Sequence, residues 1–162
     1  AWPPGVGRGF MKLYRITSPN HAYDLSGTGA RLYGGRWNSP GKPVVYAAGT
    51  ISLAMLETMA NAEPEWLKKP FTLNILNIPD PLVIEKLKEE DLLVDWKNYP
   101  FAPTTVEKGD RWLQSRLTPI LQVPSAVNPF EFNYLLNPNN QDFSMITIDE
   151  IRELSFDLRL IR

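Results

Sequence analysis

Gly34-Gly35-Arg36-Trp37-Asn38-Ser39-Pro40-Gly41, running on through Val44-Val45-Tyr46 to Glu57, is the stretch whose reading decides the fold. Gly34-Gly35 lets the backbone pass close to a ligand or take a positive φ, which no residue carrying a Cβ does cheaply. Ser39-Pro40-Gly41 marks a turn. An arginine held between two such breaks is presented to a partner, and its planar fork suits a carboxylate or phosphate. The same residues also fit a surface hairpin with a solvated arginine and a tryptophan capping the core. Val44 to Ala48 reads as a short buried strand, and Thr50 is placed to cap a helix from Ile51 to Ala62. Leu53, Leu56, Glu57 and Ala60 recur on it at three- and four-residue spacing and share one face. Glu57 then either turns inward, where a desolvated carboxylate needs a partner, or sits at the edge of the stripe in water.

Outward from that stretch, the totals bound the rest. A chain of 162 residues with 43% hydrophobic and 22% charged residues has the size and composition of one globular domain. Seventeen basic residues against eighteen acidic ones give a net charge of −1, so the chain carries no electrostatic footprint for direct nucleic-acid binding. No apolar run is long enough to span a bilayer. Cysteine is absent and His21 is the sole histidine, which excludes disulfides, thiolate chemistry and a Cys/His zinc site. No metal is expected, and a Ser-His-Asp triad would have to draw on His21 in a polar loop. Residues 1–10, with Trp2-Pro3-Pro4 and Gly5-Val6-Gly7-Arg8-Gly9 ahead of Met11, resemble an expression-tag remnant. Residues 11–162 are then the domain, with the cytoplasm as its default address.

Lys12 to Ile16 alternates as a strand, with Arg15 on the face opposite Tyr14 and Ile16. Thr17 to Leu32 is turn-like, and its Gly27-x-Gly29 lacks the third glycine and the flanking pattern of a dinucleotide fingerprint. Phe71 to Ile78 reads as a strand broken by Pro79-Asp80-Pro81. Ile84 to Leu92 reads as a charged amphipathic helix, and Asp95 to Pro103 as irregular but apolar. Thr104 or Thr105 is expected to cap a helix through Leu117. Ile120 to Val123 reads as a buried strand ending at Pro124-Ser125, and Phe132 to Leu136 as another. Ile146 to Ile151 is expected to form a short helical turn, and Leu154 to Leu160 a closing strand. Short strands and a few helices without a βαβ rhythm predict a single compact α+β domain.

The unusual polar residues are Arg15, Arg36, Tyr46, Glu57, Ser125, Asn128 and Asn133. They supply donors for anionic oxygens, one carboxylate and one small hydroxyl, a kit suited to a phosphorylated ligand and a developing cation. Tyr14-Arg15, Gly34-Gly35-Arg36-Trp37-Asn38, Val45-Tyr46, Leu53-Ala54 with Leu56-Glu57, Pro124-Ser125 and Asn133-Tyr134-Leu135-Leu136-Asn137-Pro138 occur in that order. In this the chain resembles the RES domain, the toxin half of bacterial RES–Xre toxin–antitoxin pairs, from Lys12 to the C-terminal strand.

The resemblance implies a fold similar to the catalytic core of ADP-ribosyltransferase toxins. It implies NAD⁺ as substrate with no separate cofactor, and cleavage of the nicotinamide–ribose bond by water or by phosphate as co-substrate. ADP-ribosyl transfer to a macromolecule is the alternative reaction, and a non-catalytic nucleotide-binding module the alternative class. As partner it implies an Xre-type helix-turn-helix antitoxin covering the site within a higher-order complex; a toxin homodimer inside that complex is a further expectation and not part of the resemblance. The family's functional positions carry over to Arg15, Arg36, Tyr46, Glu57 and Ser125. Many members have a histidine after Leu-Asn-Pro, where this chain has Asn139-Asn140.

On that basis Glu57 faces the oxocarbenium-like centre or the ribose hydroxyls, and Arg36 and Arg15 hold the pyrophosphate, with Gly35 opening the approach. Arg15 could equally form a structural ion pair. Tyr46 stacks on nicotinamide, donates to ribose, or is a core tyrosine with a satisfied hydroxyl. Ser125 has no base to activate it and is expected to position and not to attack. Asn133 is expected to satisfy buried backbone groups beside the site. Trp37, Trp66, Trp96 and Trp112 read as core or interface residues.

Overall fold

The computed structural model describes residues 10–161. In chain order it forms β1 (Phe10–Thr17), α1 (Thr28–Tyr33), β2 (Val45–Ala48), α2 (Ile51–Asn61), α3 (Pro64–Leu67) and β3 (Phe71–Pro79). Then follow β4 (Ile84–Lys86), α4 (Pro103–Ser115), β5 (Ile120–Pro124), β6 (Phe132–Leu136) and β7 (Thr147–Leu154). The strands build one seven-stranded sheet in the order β4-β5-β6-β2-β1-β3-β7, antiparallel except for β4 beside β5. β1 is zipped to β3 along its whole length but meets β2 through a single registered pair, Tyr14 opposite Ala48.

Alternation along the strands sends side chains to both faces, and both are buried. Leu13, Val45, Ala47, Leu76, Leu136 and Ile120 point to one face, under loops that contribute Leu25, Leu82, Phe143 and Ile146. On the other face Leu121, Val123 and Leu135 pack against Trp37, Trp96, Trp112 and Leu113. Beside them Leu53 and Ala54 of α2 close over Ala48, Tyr14 and Ile16. The mixed α+β domain expected from the strand and helix pattern is therefore what forms. Among the described residues no helix is long and apolar enough to cross a membrane, and no acidic or histidine cluster could hold a metal.

Several local expectations give way to tertiary pairing. Ile84 to Leu92 is not a helix: Ile84, Glu85 and Lys86 pair in parallel with Ile120, Leu121 and Gln122, and only a 3₁₀ turn at Glu89–Asp91 follows. A helix this short gains little unless packing rewards it, whereas the open flank of β5 offers backbone partners at once. Ile146 to Ile151 is not a helical turn, and Leu154 to Leu160 is not the closing strand. The closing strand is β7, captured by the free edge of β3, and the chain then turns through a 3₁₀ segment at Leu158–Leu160. The turn-like stretch from Thr17 conceals α1, and α4 begins with Pro103 at its first position instead of a threonine cap. The Thr105 hydroxyl donates to the Ala102 carbonyl. On α2 the buried pair is Leu53 and Ala54, while Leu56 is 41% exposed and Ala60 lies outside. Trp66 is exposed, unlike the other three tryptophans of the expected core set. The proposed tag remnant lies outside the described residues except for Phe10, which opens β1 opposite Pro79.

Candidate active site around Glu57 and Arg36

The glycine stretch folds into a two-residue hairpin. Gly35 N donates to Asn38 O at 3.0 Å and Asn38 N returns a bond to Gly35 O at 3.4 Å, leaving Arg36 and Trp37 at the tip. Gly34 takes the positive φ (72°) that admits the turn. Gly35 serves a different need, because a Cβ there would stand 2.9 Å from Tyr46 Oη and 3.1 Å from Asn38 Oδ1. The close approach that the glycine permits is to Tyr46, inside the protein. Trp37 is buried against Trp96, with ring centroids 6.4 Å apart.

Asn38 is the hub of the hairpin. Its Nδ2 donates to Ala30 O at 2.8 Å and reaches the carbonyls of Ser39 and Lys42, while its Oδ1 accepts from Tyr46 Oη at 2.6 Å. Tyr46 Oη also accepts from Trp37 N at 3.2 Å. The tyrosine ring is only half-buried over the whole residue, but its hydroxyl is enclosed, and burial pushes its pKa up. With donor and acceptor both engaged, this hydroxyl is held by the turn, which matches the satisfied-hydroxyl reading of Tyr46. From α4, Asp110 accepts from Ser39 N at 2.9 Å and from Ser39 Oγ at 2.6 Å. Gly109 lets the helix backbone reach the Trp37 carbonyl.

Arg36 is thereby fixed at the hairpin tip. Its Nη1 donates to the carbonyls of Trp96 at 2.7 Å and Asn98 at 3.0 Å, and its guanidinium lies over the Phe101 ring, 5.0 Å from the centroid. Burial pushes its pKa down, and the nearby Glu57 carboxylate pushes back. Arg36 and Glu57 thus sense each other electrostatically without closing to a salt bridge.

Glu57 is brought to the same place by α2. Thr50 Oγ1 accepts from Leu53 N at 3.0 Å, which satisfies an orphan amide of the first turn and sets where the helix starts. Two turns on, Glu57 Oε1 accepts from Ser125 Oγ at 2.7 Å and from Asn133 Nδ2 at 2.7 Å. Both bonds fall on one oxygen, and among the described residues Oε2 accepts none. Asn133 therefore serves the carboxylate and not buried backbone. Ser125 is wholly buried; its Oγ also accepts from Val127 N at 3.1 Å and Asn128 N at 3.0 Å. A hydroxyl so engaged orients a carboxylate and is in no state to attack a substrate.

The structure thus brings together Glu57, Ser125, Asn133, Arg36, Tyr46 and Gly35. Arg15 stands apart. It alternates with Tyr14 and Ile16, so it shares the face of Leu13, as the strand period indicates. It lines a cleft of about 260 Å³ with Thr17, His21, Asp24, Thr28 and Tyr33, and neither Arg36 nor Glu57 borders that cleft. Burial pushes the Arg15 pKa down, partly offset by Asp24; no salt bridge forms between them, and Nη1 is buried without a partner. A second cavity of about 280 Å³, between Asp91 and Arg111, lies away from all these residues. Gly109 and Asp110, which hold the hairpin, escaped the sequence reading; only a glycine in mid-helix hinted at a close approach there.

A family model described as the RES domain matches residues 12–158. The chain is 40% identical over 156 residues to a protein named Toxin Res from Photorhabdus laumondii subsp. laumondii, covering 94% of this chain and 98% of that one. It is 36% identical over 155 residues to the Prs ADP-ribosylating toxin of a Sphingobium species, covering 93% and 96%. Among solved structures it is similar to a chain in the M. tuberculosis MbcT–MbcA toxin–antitoxin complex. The TM-score is 0.74 at 20% identity, over 91% of this chain and 86% of the other, a likeness of fold.

Proposed function

The chain belongs to the RES domain family, and from that premise we propose that it is a toxin that consumes NAD⁺ by breaking the bond between nicotinamide and ribose. One observation carries the reading: a carboxylate oriented through one oxygen by Ser125 and Asn133 lies within electrostatic reach of a fixed guanidinium that is not paired with it. An arginine and a glutamate kept apart in this way suit a ligand with a negative part and a part that becomes positive.

NAD⁺ supplies both. Nicotinamide leaves as a neutral base with the bonding electrons, so no acid is needed to protonate it. The positive charge that remains is shared between C1′ and the ring oxygen of ribose. Glu57 Oε2, free of internal bonds, would meet that charge; at 4 Å and an effective dielectric near 20 a full unit charge is worth about 4 kcal/mol. Because Ser125 and Asn133 are already in place, little reorganisation accompanies the reaction. Arg36 keeps Nε and Nη2 for a phosphate, and Arg15, from its own cleft, would take another oxygen-rich part of the dinucleotide. Water completes hydrolysis to ADP-ribose and a proton, and phosphate in its place gives ADP-ribose 1-phosphate. Transfer of ADP-ribose to a macromolecule is the second reading, favoured by the name of the Sphingobium relative.

An antitoxin that covers Glu57 and Arg36 fits the same proposal, since the similar fold comes from a toxin–antitoxin complex. The family resemblance supports its helix-turn-helix class. The deciding experiment incubates the purified protein with NAD⁺, with and without phosphate, and identifies the products. Nicotinamide should appear, and Glu57→Gln should slow its release about 10²–10³-fold while NAD⁺ binding is kept. Equal loss of binding and turnover would remove Glu57 from the chemistry. A labelled macromolecule in place of free product would favour transfer.

A further inference from the structure

We propose that Glu131 is a positioning residue for the Glu57 carboxylate, acting as a clamp between the start of α2 and the loop that joins β5 to β6. The inference rests on the reading of Glu57 given above. Glu131 Oε1 accepts from Thr50 Oγ1 at 2.6 Å, and Oε2 accepts from Asn128 Nδ2 at 2.9 Å. Thr50 is the cap of the helix that carries Glu57, and Asn128 N is one of the two amides that donate to Ser125 Oγ. The Glu131 backbone closes the same loop: its carbonyl accepts from Ser125 N at 3.1 Å and its amide donates to Asn128 O at 3.0 Å. One side chain thus touches both the helix that carries Glu57 and the loop that carries Ser125.

The geometry explains why such a clamp matters. Without it, α2 is held at Glu57 by Ser125 of the loop and Asn133 of β6, and just ahead of its cap by the Gly49 amide, which donates to the Phe132 carbonyl at 3.1 Å. The Thr50–Glu131 bond adds a side-chain tie at the helix start, seven residues before Glu57 and roughly 10 Å along the axis. That tie joins the start of the helix to the loop that carries Ser125. A negative charge at the helix start also meets the positive end of the helix dipole. The Thr50–Glu131 bond is exposed to solvent, so its share of global stability is small. Its effect belongs to where Glu57 points.

Polarity makes the clamp testable. Asn128 Oδ1 is engaged, accepting from Phe130 N at 3.2 Å, so the Asn128 amide cannot flip without loss. Glu131→Gln keeps an oxygen for Thr50 but sets an amide against the Asn128 amide. Asn128→Asp sets two carboxylates together. The double variant N128D/E131Q reverses the polarity of the contact, restores a hydrogen bond and leaves the net charge of the pair unchanged.

Two readouts decide the matter in the full chain. In nicotinamide release from NAD⁺, E131Q and N128D should each lower kcat about tenfold with KM within about twofold, and the double variant should recover most of the loss. In NMR, the Asn133 side-chain amide reports its bond to Glu57 without any substrate; its resonance should move in E131Q and return in the double variant. Wild-type kcat and an unmoved Asn133 resonance in E131Q overturn the clamp. A fall in Tm that tracks the fall in kcat, with no recovery in the double variant, assigns Glu131 to the fold alone and also overturns it. Should the wild-type protein release no nicotinamide, the NAD⁺ reading fails, and the Asn133 resonance still decides the clamp.

Discussion

Substituting Gly109 by alanine should disable the Arg36 hairpin from the far side of α4. A Cβ at Gly109 would lie 1.6 Å from the Trp37 carbonyl oxygen, and real Cβ contacts essentially never fall below 3.0 Å. Helix and hairpin backbones must therefore separate by at least 1.4 Å. Neither partner is a flexible side-chain tip, so the strain belongs at the upper end of the overpacking range, about 3 kcal/mol. Alanine returns about 1 kcal/mol of helix propensity, which leaves a net loss near 2 kcal/mol. For a domain of this size that is a fall in Tm of about 4–8 °C, or about 1 M in the urea midpoint at a slope near 2 kcal/mol/M. The movement also pulls at the Asp110–Ser39 bonds and carries Arg36 with it. On the proposed role of Arg36 at a phosphate of NAD⁺, a shift above 1 Å there should lower kcat/KM about 100-fold. Gly29→Ala is the control, because its Cβ meets nothing within 4 Å inside α1; it should be neutral or stabilising by up to about 1 kcal/mol. A Gly109→Ala protein that unfolds and turns over like the wild type would refute this account of how the hairpin is held.

Arg36→Lys should behave nearly as badly as Arg36→Ala in NAD⁺ turnover, since an ammonium cannot bridge two carbonyls, lie flat on Phe101 and still offer a fork; a fully active lysine variant would dispose of that role. Ser125→Ala strands the amides of Val127 and Asn128 as well as freeing Glu57, so urea unfolding should show a loss of about 2 kcal/mol beside a slower kcat. Mass spectrometry of the reacting wild-type enzyme should find no adduct on Ser125. For Tyr46 the folded pKa is raised, so the unfolded chain loses its phenolic proton first and stability falls as pH rises beyond about 10, the unfolded value. Tyr46→Phe should be less stable at neutral pH, with Asn38 Oδ1 and Trp37 N unpaired, yet lose less on going to pH 11. Parallel stability curves for the two proteins across that range would contradict the enclosed hydroxyl.

Where local chemistry and final structure agree, the sequence could be read directly. Thr50 is a capping residue ahead of an apolar period, and it caps α2; alternation marks β1 and β3 as strands, and the apolar runs of β5 and β6 read as buried strands because both faces of the sheet are covered there. Alternation also puts Arg15 on a different face from Tyr14. The misread segments are the two sheet edges, β4 and β7, whose partners lie far away in sequence. Of the site, residue types at the right order marked Glu57, Arg36, Ser125 and Asn133, but not their bonds. That Ser125 and Asn133 both serve one carboxylate oxygen depends on a loop and a helix meeting across the sheet. Asn38 sat in plain view within the decisive stretch, yet its role as hub rests on the Ala30 carbonyl of α1 and on Tyr46, which no spacing rule reveals.

The lone pair at Tyr14 and Ala48 makes the sheet behave as two panels joined by a narrow weld. One panel is β1, β3 and β7; the other is β2, β6, β5 and β4. Leu53 and Ala54 straddle the join, touching Tyr14 and Ile16 on one side and Ala48 on the other. Amide hydrogen exchange should therefore resolve two separately opening units, with protection lowest beside the weld. The helix above the join also carries Glu57, so a dinucleotide lodged there would slow exchange in both panels at once.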